Sequence, residues 1–573
     1  MYIPYLSGRK TLLPCNLGEM IPAMAPVRII DAVLNTFDLS QFHAQHSSNG
    51  RPSYDPEMML KLLIFAYTCN VCSSRAIERF AERDIHALWL VGGNAPESST
   101  INRFRKNSGP LIDAVFTALV LELGKRDLVC FEEGFIDGTT IQGRSKPSKI
   151  VWRKSVTSRE KVNKEKIRNL LKQFHEGESI DDERIDELPL DASSLATLCD
   201  DIEKSIAANA ATMPPSVLRK KRKICKELKE RTVKQAGYEA DLRVMGDRNS
   251  FVRTDPDATG MILKEDRSYV SHTPTESSNE PEQTSPSPSS NDRPKASRRS
   301  TPPLETKATA TPQKQTKKKK SNGRSMAKPG FNLEIITKNQ VVLAFEIFQT
   351  TSDTVTLESV LNSFEARYGH TPARVIADAA YGTEANYEML EKKNIIPYVK
   401  YQSYDHEQTK EYRENIFHPD HLKYDAEGDY YTCPNHRKLC FVRSSPKDKT
   451  GSENRIYQCE NCTDCALRSA CYKGRENRLI TINRRTRDYE EKARNNLLSD
   501  KGQRLLAQRA IEPETVFGQF KANLGMRRTN FFGIEMLKVD LNYRFIAHNF
   551  RKMTEIKPKP RNRKSKAKKK AQK

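Results

Sequence analysis

The chain has 573 residues, enough for several domains and a large core, and carries 96 Lys and Arg against 73 Asp and Glu, a formal net charge of +23. That excess points to a polyanionic partner, nucleic acid first. No apolar run approaches the ~18 to 20 residues of a membrane span and the start lacks a signal-peptide pattern, which excludes a membrane-embedded or exported class and makes the cytoplasm the expected compartment.

In chain order, Ile29 to Phe37 shows an apolar helical pattern. Asp55-Pro56 then opens a helix in which Met59, Leu62, Leu63, Ala66 and Tyr67 fall at helical spacing. Ser73 or Ser74 caps a second helix, and Ser98 or Ser99 caps a third, with Arg103, Arg105 and Lys106 expected on its exposed face. Short helices ending in a basic one suggest a DNA-binding helical domain over residues 1–125. For any single arginine, a solvated face of a plain bundle reads equally well.

GFIDGTTI (Gly134 to Ile141) puts Asp137 in the middle of an apolar strand. A carboxylate there is costly unless it meets a cation or a strong donor. Residues 155–267 are highly charged and helix-rich, as in LRKKRKICKELKERTVKQ, and form a predicted helical insertion whose charge runs are solvated faces. Asp255 and Asp257 sit in a Pro-punctuated stretch that predicts a turn, not catalysis. Residues 268–325, rich in Ser, Thr, Pro and Lys, are a predicted disordered linker.

Two strands follow, Phe331 to Ile336 and Val341 to Phe348, then a helix from Thr356 to Tyr368. The β-branched run Val375-Ile376 leads to Asp378 at a strand end, followed by Tyr381, Gly382 and Thr383, a predicted N-cap. In open α/β sheets ligands collect beyond the carboxyl ends of strands, so Asp378 is placed for chemistry. In RAIEPETVFGQFK, Pro513 suits a first helical turn, and Glu514 and Lys521 are two turns apart on one face. A strand Asp, a strand-end Asp and a helix Glu are the pieces of a two-metal phosphoryl-transfer site.

Between them, residues 391–500 are too many for a loop and are read as an inserted, partly β subdomain, with strands near Ile395 to Val399, Tyr430 to Thr432 and Leu439 to Val442. Six of the 12 Cys crowd between Cys433 and Cys471, in CPNH, Cys440 and CENCTDCALRSAC. The C-x2-C-x2-C-x5-C spacing with an upstream Cys fits one tetrahedral structural Zn²⁺ rather than disulfides. The tail, residues 556–573, is almost all Lys, Arg and Pro and can read only phosphate charge.

Taken together, FIDGTTI, ADAAYGTEANY and EPETVFGQFK resemble the DDE transposases of bacterial insertion sequences, the cut-and-paste kind. RPSYDPEMMLKLL and FIAHNFRKM resemble that family's flanking blocks, and the likeness covers most of residues 40 to 555. It implies an α/β, ribonuclease-H-like catalytic domain built from residues 126–154, 326–390 and 501–555. Asp137, Asp378 and Glu514 would bind two Mg²⁺ (or Mn²⁺) ions, with Arg509 and Lys521 neutralising a phosphate. One departure stands: the family signature often has Tyr seven and Arg four residues before the Glu, where this chain has Ala507 and Ala510. The zinc ligands closest to related inserts are Cys433, Cys462, Cys465 and Cys471, with Cys459 and His436 as alternates. Tyr381 would bond or pack on DNA. Double-stranded DNA is the implied partner, with a homodimer in the complex and association with the nucleoid. A catalytically inactive DNA-binding derivative and a nuclease that does not join strands are the rival readings.

Overall fold

Residues 16–44, 53–175, 185–263, 327–446 and 453–555 are described by the computed structural model. The expected linker, 268–325, and basic tail, 556–573, lie outside them.

Strands β1 (Glu133–Gln142), β2 (Ile150–Trp152), β3 (Ser250–Val252), β4 (Thr259–Met261), β5 (Lys328–Lys338), β6 (Val341–Phe348), β7 (Arg374–Ala377) and β8 (Ile396–Val399) hold the first half together. Six of them make one mixed sheet, in which β6, β5, β1, β7 and β8 are successive neighbours and β4 pairs with the start of β5. β5 is antiparallel to β1 and β6, whereas β7 runs parallel to β1 and β8 parallel to β7. The β5–β6 hairpin closes through Asn339 and Gln340, both at positive φ (54° and 60°), the backbone that a tight two-residue turn between twisted strands requires. This is a mixed α/β architecture.

The helix Ile534–Glu555 is buried over most of its length, with Leu537, Leu541, Phe545 and Phe550 inside and with Asp540, Asn542, Arg544 and Asn549 buried among them. Such a helix needs packing on several sides and hydrogen-bond partners for its polar groups. It has β6 against one flank and helices Pro56–Thr68 and Gly109–Lys125 against others. Tyr67 donates to Asp540 (2.6 Å), and the Ser108 and Tyr543 hydroxyls are 2.9 Å apart. The N-terminal helices therefore share one hydrophobic core with the six-stranded mixed sheet instead of forming a body of their own. Asp540 also accepts from Arg544 Nε at 2.7 Å, and both side chains are buried. Removing one partner of a buried ion pair strands the other, at about 3–5 kcal/mol. Asp540→Ala is thus expected to lower the melting temperature sharply, measured by thermal denaturation, with Arg544 left unpaired.

Asp255 and Asp257 lie in a turn, as expected, and their carboxylates accept from Gly533 N (3.1 Å) and Ile534 N (3.0 Å) at the start of that same long helix. They satisfy its orphan amides and oppose its positive end.

Among its described residues the charged insertion has the long helices Arg153–Phe174, Ala192–Ala208 and Pro215–Met245 around a separate apolar core that includes Ile167, Leu171, Leu195 and Leu228. The β2–β3 pair forms its root. The Cys-rich insert contains β9 (Lys423–Asp425), β10 (Tyr430–Thr432), β11 (Lys438–Ser444), β12 (Arg455–Cys459) and β13 (Leu479–Ile482), an antiparallel meander over Tyr431, Leu439 and Tyr457. Among the described residues, no helix is long and apolar enough to cross a membrane.

Candidate active site

Asp137 sits in the middle of β1, and Asp378 directly follows β7. Because Phe135 pairs with Ile376 in parallel register, the two carboxylates face each other across neighbouring strands. β7 stops where it does because Asp378 turns back to accept from Ala380 N (2.9 Å), capping the short turn Ala379–Tyr381. Thr383 then caps the helix Glu384–Lys392, accepting from Asn386 N at 3.3 Å.

Both carboxylates share one cation. The Arg509 guanidinium lies 3.6 Å from Asp137 Oδ1 and 3.3 Å from Asp378 Oδ2. Asp137 and Arg509 are mostly buried, with side chains 13% and 16% exposed, so their attraction is little screened by water. Arg509 ends the helix Asp500–Arg509. The family resemblance sets it against a phosphate; here it is occupied by the two aspartates.

The following helix, Glu512–Gly518, packs on β1 and β5. Its buried residues are Glu512, Pro513, Val516 and Phe517, while Glu514 is exposed. Glu512 accepts from the amides of Asn339 (3.0 Å) and Gln340 (2.6 Å) and so pins the helix to the β5–β6 turn. Burial pushes its carboxyl up, against the pull of those two donors. Lys521 does not lie on a straight continuation of the Glu514 helix. Gln519–Asn523 is a π-helical turn, which changes the face that a seven-residue spacing would share. Among the described residues no group of three or more His, Cys, Asp or Glu side chains converges closely enough to hold a metal ion. Glu514 is not gathered with the two aspartates in this arrangement.

Two expected DNA contacts are corrected. Tyr381 is 0% exposed and its hydroxyl donates to buried Glu334, so it offers DNA no surface. Arg105 is 2% exposed; it donates to Cys72 O (2.9 Å) and lies over the Tyr67 ring, because helix Ser98–Asn107 turns that side into the core. Arg103 and Lys106 are exposed on the same helix.

In the insert, Cys433, Cys459, Cys462, Cys465 and Cys471 line one small cavity with Arg437 and Arg478. Four of the sulfurs accept hydrogen bonds: Cys433 from Arg437 N (3.3 Å), Cys462 from Arg478 N (3.4 Å), Cys465 from Asn435 Nδ2 (3.5 Å) and Cys471 from the Arg478 guanidinium (3.1 Å). Cys459 instead donates its thiol to Asn461 O, and burial together with its neighbour Cys462 pushes its pKa up to about 12. Cys440 is exposed beside Glu460, and His436 is exposed; neither lines the cavity.

Sequence reasoning missed Glu334, although the signal was available: FNLEIIT places a carboxylate inside an apolar strand just as FIDGTTI does. For Glu512 the sequence suggests only a helix cap before Pro513, whereas its carboxylate reaches the β5–β6 turn.

A family model described as Transposase DDE domain matches residues 432–554, and a second, Transposase domain (DUF772), matches residues 15–107. Together the two matches indicate a DDE transposase of an insertion sequence. The first match takes in the insert from Thr432 onward, with its clustered cysteines, and the Glu512–Gly518 helix; the second takes in N-terminal helices as far as Ser98–Asn107. The ribonuclease-H-like fold that the DDE family implies agrees with the transposase's central sheet order. No curated protein and no solved structure matches this transposase.

Proposed function

We propose that this transposase binds the ends of its mobile element, cleaves a DNA strand there and joins the freed 3′-OH to another strand, by a cut-and-paste route. The observation that supports the reading most is the pair of carboxylates, Asp137 and Asp378, in register on adjacent strands around one cation. The guanidinium between them is a stand-in: a place that holds one positive charge against two carboxylates suits a divalent ion. Asp137, Asp378 and Glu514 are the residues that would hold two Mg²⁺ or Mn²⁺ ions, which when bound activate water and stabilise the attacking and leaving oxygens. Arg509, once a phosphate competes with the aspartates, neutralises that phosphate, and Lys521 serves the same end. The β-sheet excludes water from one side of Asp137 and fixes its orientation.

In the insert, Cys433, Cys462, Cys465 and Cys471 line one cavity without being gathered to ligand distance, and would close on one structural Zn²⁺ when it binds. Their accepted N–H bonds suit thiolates, while Cys459 stays a thiol. With four thiolates there is no open position, so the role is structural.

DNA is the substrate class that the family implies. Work on two element ends calls for two protomers, and we assign a homodimer to the DNA complex. Arg103 and Lys106 are the exposed cations of helix Ser98–Asn107. Changing both to Ala is expected to weaken binding to element ends about 10-fold or more and to flatten log affinity against log salt by about 0.9 for each phosphate no longer neutralised. Fluorescence anisotropy across a salt series measures both.

The deciding experiment incubates the protein with Mg²⁺ and DNA bearing the element's own ends, intact or pre-cut. Cleavage and joining support the reading. Cleavage without joining of pre-cut ends makes it a nuclease, and binding without cleavage makes it an inactive derivative.

A further inference from the structure

The face of the sheet opposite Asp137 carries another carboxylate, Glu334 of β5. It is fully buried, at 0% exposure, and pairs across the strands with Gly138. Side chains alternate along a strand, so Glu334 and Gly138 share one face and Asp137, the next residue, faces the other way. Glu334 touches no reacting group.

A buried carboxylate is costly unless it is hydrogen-bonded. Side chains from three elements around it serve this one, Tyr381, Asn332 and Thr356 among them. The Tyr381 hydroxyl donates to Oε2, Asn332 Nδ2 donates to Oε1 at 3.2 Å, and the Thr356 hydroxyl is 3.1 Å from Oε1. Tyr381 is the end of the short turn that Asp378 caps. Asn386 Nδ2 holds that turn further, donating to Tyr381 O (2.8 Å) and Thr354 O (3.0 Å). The carboxylate also lies flat over Gly138: a Cβ there would come within 2.5 Å of Glu334 Oε1. The residue after Asp137 must therefore be Gly for Glu334 to keep its place.

We propose that Glu334 is a positioning residue: with Tyr381 it ties the turn carrying Asp378 to β5, the antiparallel neighbour of the strand carrying Asp137, and so sets the spacing of the two carboxylates. The inference rests on the assignment of Asp137 and Asp378 to cleavage. On the opposite face Arg509 bridges the same two side chains, but a phosphate competes for that guanidinium. The Tyr381–Glu334 bond lies in the core and persists when Arg509 is drawn away. Asp378, whose described backbone contact is local to its own turn, then keeps its place relative to β1 through Tyr381.

The test uses the full-length protein and Tyr381→Phe, which keeps the ring and removes the hydroxyl. A misplacement of about 1 Å costs on the order of 10²-fold in rate. Cleavage is expected to slow by about 10- to 100-fold. Mn²⁺ affinity of the DNA-free protein, read by calorimetric titration, is expected to weaken about 10-fold, with affinity for element ends within about twofold of wild type. A role in core stability alone would lower the melting temperature and leave Mn²⁺ affinity and cleavage unchanged, and that result overturns the proposal. If Tyr381→Phe does not fold, Gly138→Ala, which pushes the Glu334 carboxylate off the strand without altering its donors, carries the same expectations. Wild-type protein that fails to cleave element ends would defeat the assignment of the site itself. Wild type that cleaves beside a Tyr381→Phe variant with unaltered cleavage and Mn²⁺ affinity defeats only this inference.

Discussion

Single replacement of Asp137, Asp378 or Glu514 by Ala is expected to lower strand cleavage by more than about 10²-fold, the loss typical of removing one preorganised charge-stabilising group. Affinity for element ends should stay within a few-fold, because the carboxylates hold cations and repel phosphates. A gel-based cleavage assay, run beside anisotropy on the same preparations, separates the two effects. Near-wild-type cleavage by any one variant would show that residue to be misassigned, and Glu514, exposed and apart from the aspartates, faces the most exacting test. The control carboxylate must be chosen with care. Asp540 is buried against Arg544 and Tyr67, so its removal reports on folding. Glu535, exposed at the start of the same helix, is the proper control and should retain cleavage.

Removal of zinc is expected to unfold the Cys-rich insert locally. Structural Zn²⁺ contributes roughly 10 to 16 kcal/mol of apparent binding free energy in small finger peptides, far more than a meander of short strands supplies unaided. Metal analysis of protein purified without chelator should give one zinc per chain. Cys433→Ser, Cys462→Ser, Cys465→Ser and Cys471→Ser should each lose it, whereas Cys440→Ser, at an exposed position beside Glu460, should not. Cys459→Ser is the discriminating variant. Zinc retained in that protein supports the hydrogen-bond assignment of Cys459 as a thiol donor, and zinc lost overturns it. Proteolysis between β9 and β13 with and without chelator would report the unfolding directly.

Much of the catalytic sheet was legible in the sequence, for local reasons. The run Val341–Phe348 is a strand at the predicted bounds, and Lys328–Lys338 extends the predicted Phe331 to Ile336 at both ends. Asp55, Ser73 and Thr383 cap helices as their side chains suggested. Hydrophobic period and capping chemistry act over a few residues, so they survive in the sequence. What stayed hidden depends on tertiary packing. Arg105 and Tyr381 are polar groups at chemically suggestive positions, yet each is drawn inward by partners far off in the chain: Arg105 by Tyr67 and Phe531, Tyr381 by Glu334. The π-helical turn at Gln519–Asn523 follows Gly518, but nothing in its own five residues sets it apart from an α-helix. Arg509 stands out in the sequence for its charge, but its contact with both aspartates follows from the register of β1 and β7, which no linear spacing encodes.

The bond between Tyr67 and Asp540 joins residues 473 positions apart. At a synthesis rate of about 5–20 residues per second, that separation corresponds to roughly 25 to 95 s on the ribosome. Helices Pro56–Thr68 and Gly109–Lys125 emerge early with apolar faces that have no cover until Ile534–Glu555 follows. Closing so long a loop costs entropy before any contact rewards it, so folding of the nascent chain is slow and exposed to aggregation. A product lacking Ile534–Glu555 leaves uncovered the faces of Pro56–Thr68 and Gly109–Lys125 that pack on it.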